Sequence, residues 1–225
     1  MCAFVRHTSP MAASGERFKS HPIFARLYIR GSADAEERGQ AEHRRDLLAG
    51  LSGRVLELGC GNGLNFEHYP ESVAEVIGVE PEPTLREAAV SAAGRAAVPV
   101  RVVSGVADAL PVEDESFDAA VVSLVLCSVP DQAAALSEVR RVIRSGGELR
   151  FYEHVQAHTQ PLAGFLKFAE RTFWPAVGGG CHPARHTADA IARAGFEIEE
   201  CRRFGFKAAA FMPTIPHILG RARRP

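Results

Sequence analysis

Three glycines at alternate positions, Gly59, Gly61 and Gly63, follow the apolar run Val55-Leu56-Glu57-Leu58. Glycine lets a backbone turn tightly and approach a ligand to contact distance, because no Cβ stands in the way. Such a loop between a first strand and a first helix is the nucleotide-binding crossover of a doubly wound α/β sheet. A second feature agrees. Glu80 ends the run Val76-Ile77-Gly78-Val79, about twenty residues past the first glycine, where an acid can accept hydrogen bonds from both hydroxyls of a ribose. The spacing also separates ligands. A dinucleotide fingerprint, G-x-G-x-x-G, asks for glycine or alanine at position 64, and Leu64 stands there. That disfavours a nicotinamide-dependent reductase. From Glu57 the chain reads E-x-G-x-G-x-G instead.

The elements that must hold these residues follow from hydrophobic periodicity. Residues 16–30 and 34–50 read as two helices split near Gly31-Ser32, forming an N-terminal helical cap. An alternation then sets in. Strands are expected over 54–58, 75–79, 98–103, 117–124 and 147–153, and helical segments over 65–69, 84–93 and 132–143. Asp131 stands where it would cap the last of these helices. Strands apolar on both faces, each followed by a helix, predict a parallel sheet covered on both sides. A helix over 185–194 follows, and 196–204 with 206–211 read as a closing antiparallel hairpin. The expected fold is therefore a doubly wound, seven-stranded α/β sheet, mostly parallel. Residues 1–52 would form a mobile N-terminus and the cap. Residues 53–225 would form the ligand-binding domain, with an insertion at about 155–185.

Composition narrows the function classes. The chain has 225 residues, 26 basic and 27 acidic. That balance gives no electrostatic reason for a nucleic-acid partner. Arg221, Arg223 and Arg224 read as a short solvated basic tail. Five scattered cysteines are no disulfide framework, and a reducing cytoplasm is the expected setting. No apolar stretch approaches the ~20 residues of a membrane span. A small-molecule partner and a monomer or homodimer are expected.

The E-x-G-x-G-x-G pattern is that of class I S-adenosylmethionine-dependent methyltransferases, and the chain resembles that superfamily. The resemblance sharpens at Ser123–Val129 (SLVLCSV), at Phe151-Tyr152-Glu153-His154-Val155, at Gly180-Cys181, and at Pro216-His217-Ile218 with Gly220. In this order, from about residue 53 to 220, these segments are similar to the alkyl thiol methyltransferases and to bacterial ubiquinone/menaquinone-type relatives. The resemblance implies S-adenosylmethionine as cofactor and S-adenosylhomocysteine as product. It implies that Glu57, Gly59, Cys60, Gly61 and Gly63 pass under the methionine and ribose, and that Glu80-Pro81 hold the ribose. Asp108, flanked by Ala107 and Ala109, would meet the adenine amino group. Ser123, Leu124 and Val125 would face the methionine moiety.

Methyl transfer from a sulfonium is an in-line displacement in which holding the reactants aligned does much of the work. A thiol acceptor, with a pKa near 8.5, ionises easily. His154, after the fifth strand at the carboxyl edge, is the first candidate for a base. It also reads as a histidine that bonds a loop backbone, and Glu153 could orient that loop. Phe24 and Tyr28 on the cap, Cys127, the aromatic Phe165, Phe168 and Trp174, and His182 and His186 are candidates for the acceptor pocket. Cys181, His182 and His186 lack a fourth ligand, so no metal is expected. The acceptor is expected to be small and largely apolar, with sulfur preferred on resemblance. O-, N- or C-methylation of a natural product, quinone or lipid head group, and a non-catalytic cofactor-binding protein, are the rivals.

Overall fold

The computed structural model describes residues 20–156, 182, 185–210 and 212–225. Its centre is a seven-stranded sheet in the order β3-β2-β1-β4-β5-β7-β6. The strands are β1 (Gly53–Leu58), β2 (Val73–Val79), β3 (Val100–Val103), β4 (Phe117–Ser123), β5 (Ile143–His154), β6 (Glu197–Phe206) and β7 (Ile215–Arg223). The first five pair in parallel, and β7 enters antiparallel between β5 and β6. The strand order reverses at β1 and β4. A crevice at the carboxyl ends of these two neighbours is where a ligand binds in an open α/β sheet.

The central strands are buried on both faces, as runs such as Val76–Val79 and Ala119–Val122 require. One face packs Leu56, Ile77, Phe117 and Phe151 under α4 (Gln132–Val142) and α5 (Thr187–Arg193). The other packs Val55, Val76, Val121 and Tyr152 with Leu47 and Leu48 of α2 (Ala41–Leu48) and with Ala89 and Ala92 of α3 (Pro83–Ala93). Helix starts are fixed locally. Glu82 accepts from the Leu85 amide at 3.0 Å, and Asp131 accepts from Ala133 and Ala134 at 2.8 and 3.1 Å.

The structure corrects three sequence expectations. The cap does not break at Gly31-Ser32: α1 runs unbroken over Pro22–Ala35, and the chain turns through a π-helical segment at Glu36–Gln40. The break falls at Gly39, whose φ of 109° is open only to glycine at low cost, whereas Gly31 stays helical. The closing hairpin uses β7 at Ile215–Arg223 in place of 206–211. Pro216 near its start and two arginines near its end disguise a strand whose Ile218, Leu219 and Ala222 are buried. Consequently Arg221 and Arg223 are no solvated tail. They lie on a strand and pair with Glu199 on β6, Arg223 at 2.7 Å.

The position of the break is testable by thermal melting. Gly31→Ala, in an open helical site, is expected to stabilise the fold by about 0.5–1 kcal/mol. Gly39→Ala should destabilise it by about 1 kcal/mol or more, because alanine resists that φ.

Candidate active site

The glycine loop leaves β1 with Gly59, Gly61 and Gly63 all at positive φ, between 56° and 80°. The amides of Gly59 and Cys60 donate to the Val79 carbonyl at 2.8 and 3.2 Å, which ties the loop to the end of β2. A Cβ on Gly59 would stand 2.6 Å from a Val125 methyl, so only glycine lets the loop after β4 close against it. Glu80 fixes the middle of the loop. Its Oε2 accepts from the Gly61 amide at 2.8 Å and its Oε1 from the Glu82 amide at 2.9 Å. Burial pushes this carboxyl up, against the pull of those two hydrogen bonds. Pro81 follows, half-buried. The loop after β3 turns through an isolated bridge between Val106 and Ala109, which leaves Ala107 half-buried and Asp108 exposed at its tip.

Glu57 is buried, and both its oxygens are engaged: Oε1 accepts from Asn65 at 2.9 Å and Oε2 from the Tyr69 hydroxyl at 2.7 Å. It therefore holds the turn that follows the glycine loop. Desolvation pushes its carboxyl up to about 7. The Cys60 thiol is buried against Gly78 and Phe66, and its pKa is raised by burial.

At the end of β4 the chain strains. Leu124 has a φ of 60°, uncommon for a bulky side chain, and its amide donates to the Tyr152 carbonyl at 2.7 Å. The next turn is held by Glu153, the last but one residue of β5 and fully buried. Its Oε1 accepts from the amides of Val125 and Leu126, each at 2.9 Å, and its Oε2 from Cys127 at 3.1 Å. Desolvation pushes this carboxyl up to about 7, the three amides opposing. The sequence suggestion that Glu153 orients a loop has this geometry behind it.

Beside this turn, His154 Nδ1 lies 3.5 Å from Cys127 Sγ. The amide of His182 donates to the Cys127 carbonyl at 2.7 Å. The structure thus gathers Cys127, His154 and His182. His186 sits apart, exposed at the N-cap of α5 and 3.8 Å from Asp189. On the cap, Phe24 and Tyr28 are neighbours with ring centroids 6.0 Å apart, and the Tyr28 ring stands over Gly61. Phe165, Phe168 and Trp174 lie outside the described residues.

Three residues that sequence reasoning missed also converge here. His217 pairs directly with His154 across β5 and β7, with ring centroids 4.5 Å apart. Its Nδ1 bonds the Ile215 carbonyl at 2.8 Å, and burial, helped by His154, pushes its imidazole down to about 3. Tyr152 is fully buried, its ring stacked near His217. Arg44, 5% exposed, reaches from α2 to Glu36, Asn65 and Ser123. The one available signal was a charge three and four residues before the core positions Leu47 and Leu48, on the apolar side of the helix.

Comparison with known proteins agrees with this geometry. A methyltransferase-domain family profile matches residues 56–151. The chain is 39% identical over 182 residues to the thiol S-methyltransferase TMT1B of Mus musculus, covering 78% of this chain and 73% of that protein. It is 36% identical over 180 residues to the thiol S-methyltransferase TMT1A of Homo sapiens, with the same coverage of each. Among solved structures, a possible histamine N-methyltransferase of Thermotoga maritima superposes with a TM-score of 0.68 at 23% identity. That match covers 90% of this chain and 97% of the other, and at this identity it shows a shared fold alone.

The two raised carboxyls set a pH dependence. A folded-state pKa above the ordinary carboxylate value means that the folded protein binds more protons between the two values, so stability falls as the pH rises through that window. The contribution of Glu57 and Glu153 is full below the usual carboxylate range and is lost by about 7. The melting temperature should therefore drop between about pH 4.5 and 7, and Glu153→Gln should flatten that slope while lowering stability at every pH.

Proposed function

Because the chain belongs to the family of S-adenosylmethionine-dependent methyltransferases that includes the TMT1A and TMT1B thiol S-methyltransferases, we propose that it methylates the sulfur of a small, largely apolar thiol. The observation that carries the acceptor atom is the similarity to thiol S-methyltransferases across most of the chain. The cofactor supplies an electrophilic methyl on a sulfonium.

The residues at the β1/β4 crevice suit its nucleoside half. Each Glu80 oxygen accepts a single backbone amide and keeps a lone pair for a ribose hydroxyl. The bare Gly61 backbone leaves space under Tyr28. Asp108 would accept from the adenine amino group, and Ala107 and Ala109 shape the turn that presents it. Gly59, Cys60 and Gly63 contribute backbone, and Glu57 acts by fixing the turn at Asn65. Helices α1 and α2 serve as a cap over this crevice.

On the acceptor side the work is orientation and proton removal. Val125 to Cys127, fixed by Glu153, form the floor beneath the sulfur. His154 can accept the proton of a thiol that binds un-ionised, on a ring nitrogen, while a thiol already ionised needs no base. His217 stays neutral at working pH, so it adds no charge to repel the imidazolium that forms. The thiol's own acidity keeps the demand on His154 small. A reducing, cytoplasmic setting suits the free thiols Cys60 and Cys201. Among the described residues no helix is long and apolar enough to cross a membrane.

The test is methyl transfer from labelled cofactor to a panel of thiols, phenols, amines and quinols. Thiols should turn over, with rates rising through the thiol pKa of about 8.5. Glu80→Ala and Asp108→Ala should each weaken cofactor binding by about tenfold or more. Turnover confined to phenols, amines or quinols, and lost in His154→Ala, would replace S-methylation by base-assisted transfer to oxygen, nitrogen or carbon. Cofactor binding with no turnover on any acceptor would favour a non-catalytic protein.

A further inference from the structure

Arg44 is a buried cation that ties the cap to the sheet and takes no part in the nucleoside contacts proposed above. Its Nε holds Glu36 Oε1 at 2.9 Å, and its Nη1 donates to Asn65 Oδ1 at 2.9 Å and to Ser123 Oγ at 3.4 Å. One guanidinium thus joins the cap, the turn after the glycine loop and the end of β4. Burying an ion costs several kcal/mol unless its partners repay it, and an apolar residue here would have packed beside Leu47 and Leu48 at no such cost. Guanidinium has five N–H donors. Those on Nε and Nη1 are spent on these partners, and the Tyr28 hydroxyl comes within hydrogen-bonding reach of the guanidinium, where Tyr28 and the remaining Nη2 hydrogens can together serve a ligand.

A second observation lies beside it. The Tyr152 hydroxyl is buried with no hydrogen-bond partner among the described residues. The Gln40 amide comes close without meeting hydrogen-bond geometry, and Arg44 is near enough to act on the phenol electrostatically. A hydroxyl left bare in a core is costly, because it gives up water and gains no partner. An orphan donor beside a buried cation is the arrangement an anion would complete. Glu36 gives the cluster a negative pole as well, so the set Arg44, Tyr152, Ser123 and Glu36 matches a zwitterion better than a lone anion.

We propose that Arg44 and Tyr152 receive the carboxylate at the amino-acid end of S-adenosylmethionine, with Glu36 as the counter-charge for its ammonium. This rests on the cofactor assignment and deepens it, since it names the residues that grip the end opposite the adenine. It also explains why the cap is tied to the sheet through a charge. Arg44 is carried by α2, so the amino-acid end of the cofactor would lock the cap onto the crevice.

Two ligands without a transferable methyl separate this role from a structural one. S-Adenosylhomocysteine has the amino-acid end, and 5′-methylthioadenosine keeps the adenine, ribose and sulfur but lacks it. By calorimetric titration, Arg44→Met should weaken S-adenosylhomocysteine by roughly 10- to 100-fold and methylthioadenosine by less than about threefold. Arg44→Lys should recover some of the loss, because it keeps the charge without the fork. Tyr152→Phe should cost roughly three- to tenfold on S-adenosylhomocysteine alone. It tests the proposal even if melting shows that Arg44→Met does not fold. Equal losses for both ligands in the folded variants, or no loss for either, would overturn the proposal. A wild-type chain that binds neither ligand would overturn the cofactor assignment itself.

Discussion

A carboxylate removed from water must be satisfied by the chain around it, and Glu153 shows what that demand can organise. It lies at the end of β5, fully buried, and the acceptors it offers are taken by three successive amides of the turn after β4. Those amides have no strand partner to bond, so the carboxylate does for the turn what a ladder does for the strand. It is this anchoring that keeps Leu124 in its strained conformation and holds Val125 against Gly59. The glycine loop, the Val125–Cys127 turn and the register of β4 on β5 all meet at that one group.

Glu57 has the matching role on β1, binding Asn65 and Tyr69 and so fixing the turn that closes the glycine loop. The two acids are desolvated to a similar degree, each raised to about 7. Buried polar networks of this kind specify a geometry only when every member is paired. Here the cost of burial is offset by backbone and side-chain donors that also shape the crevice. The cap adds a further layer of polar ties: Ser20 to Glu82 at 2.7 Å, Asn62 to Ser32 at 3.2 Å, and the contacts of Arg44.

The proposed acceptor side is built differently. Across β5, β7 and β6, His154, His217, Tyr152, Phe204 and Phe206 form a continuous aromatic group, joined by His43 from α2. Burial favours the neutral forms of His43 and His217. With the Arg202 guanidinium 5.1 Å from the Phe204 ring centroid, this is the group that the proposed function sets beside the acceptor.

Much of this was legible in the chain. The strand–helix alternation, the E-x-G-x-G-x-G loop and Glu80 are local patterns, because period, glycine and strand-end acids act over a few residues. They determined the fold class and placed the glycine loop and Glu80 together at the crevice proposed for the nucleoside. What the tertiary structure alone decided depends on residues far apart in sequence. Gly39 rather than Gly31 breaks the cap, because the packing of α2 on the sheet selects which glycine takes a positive φ. Ile215–Arg223 became an interior strand because β5 and β6 offer it pairing on both sides, which outweighs Pro216 and the flanking charges. Arg44 joins Asn65 and Ser123 across separations of 21 and 79 residues, and His217 meets His154 only through antiparallel register. A buried charge or a cross-strand pair leaves no periodic trace, since its partner is chosen by the fold and not by spacing along the chain.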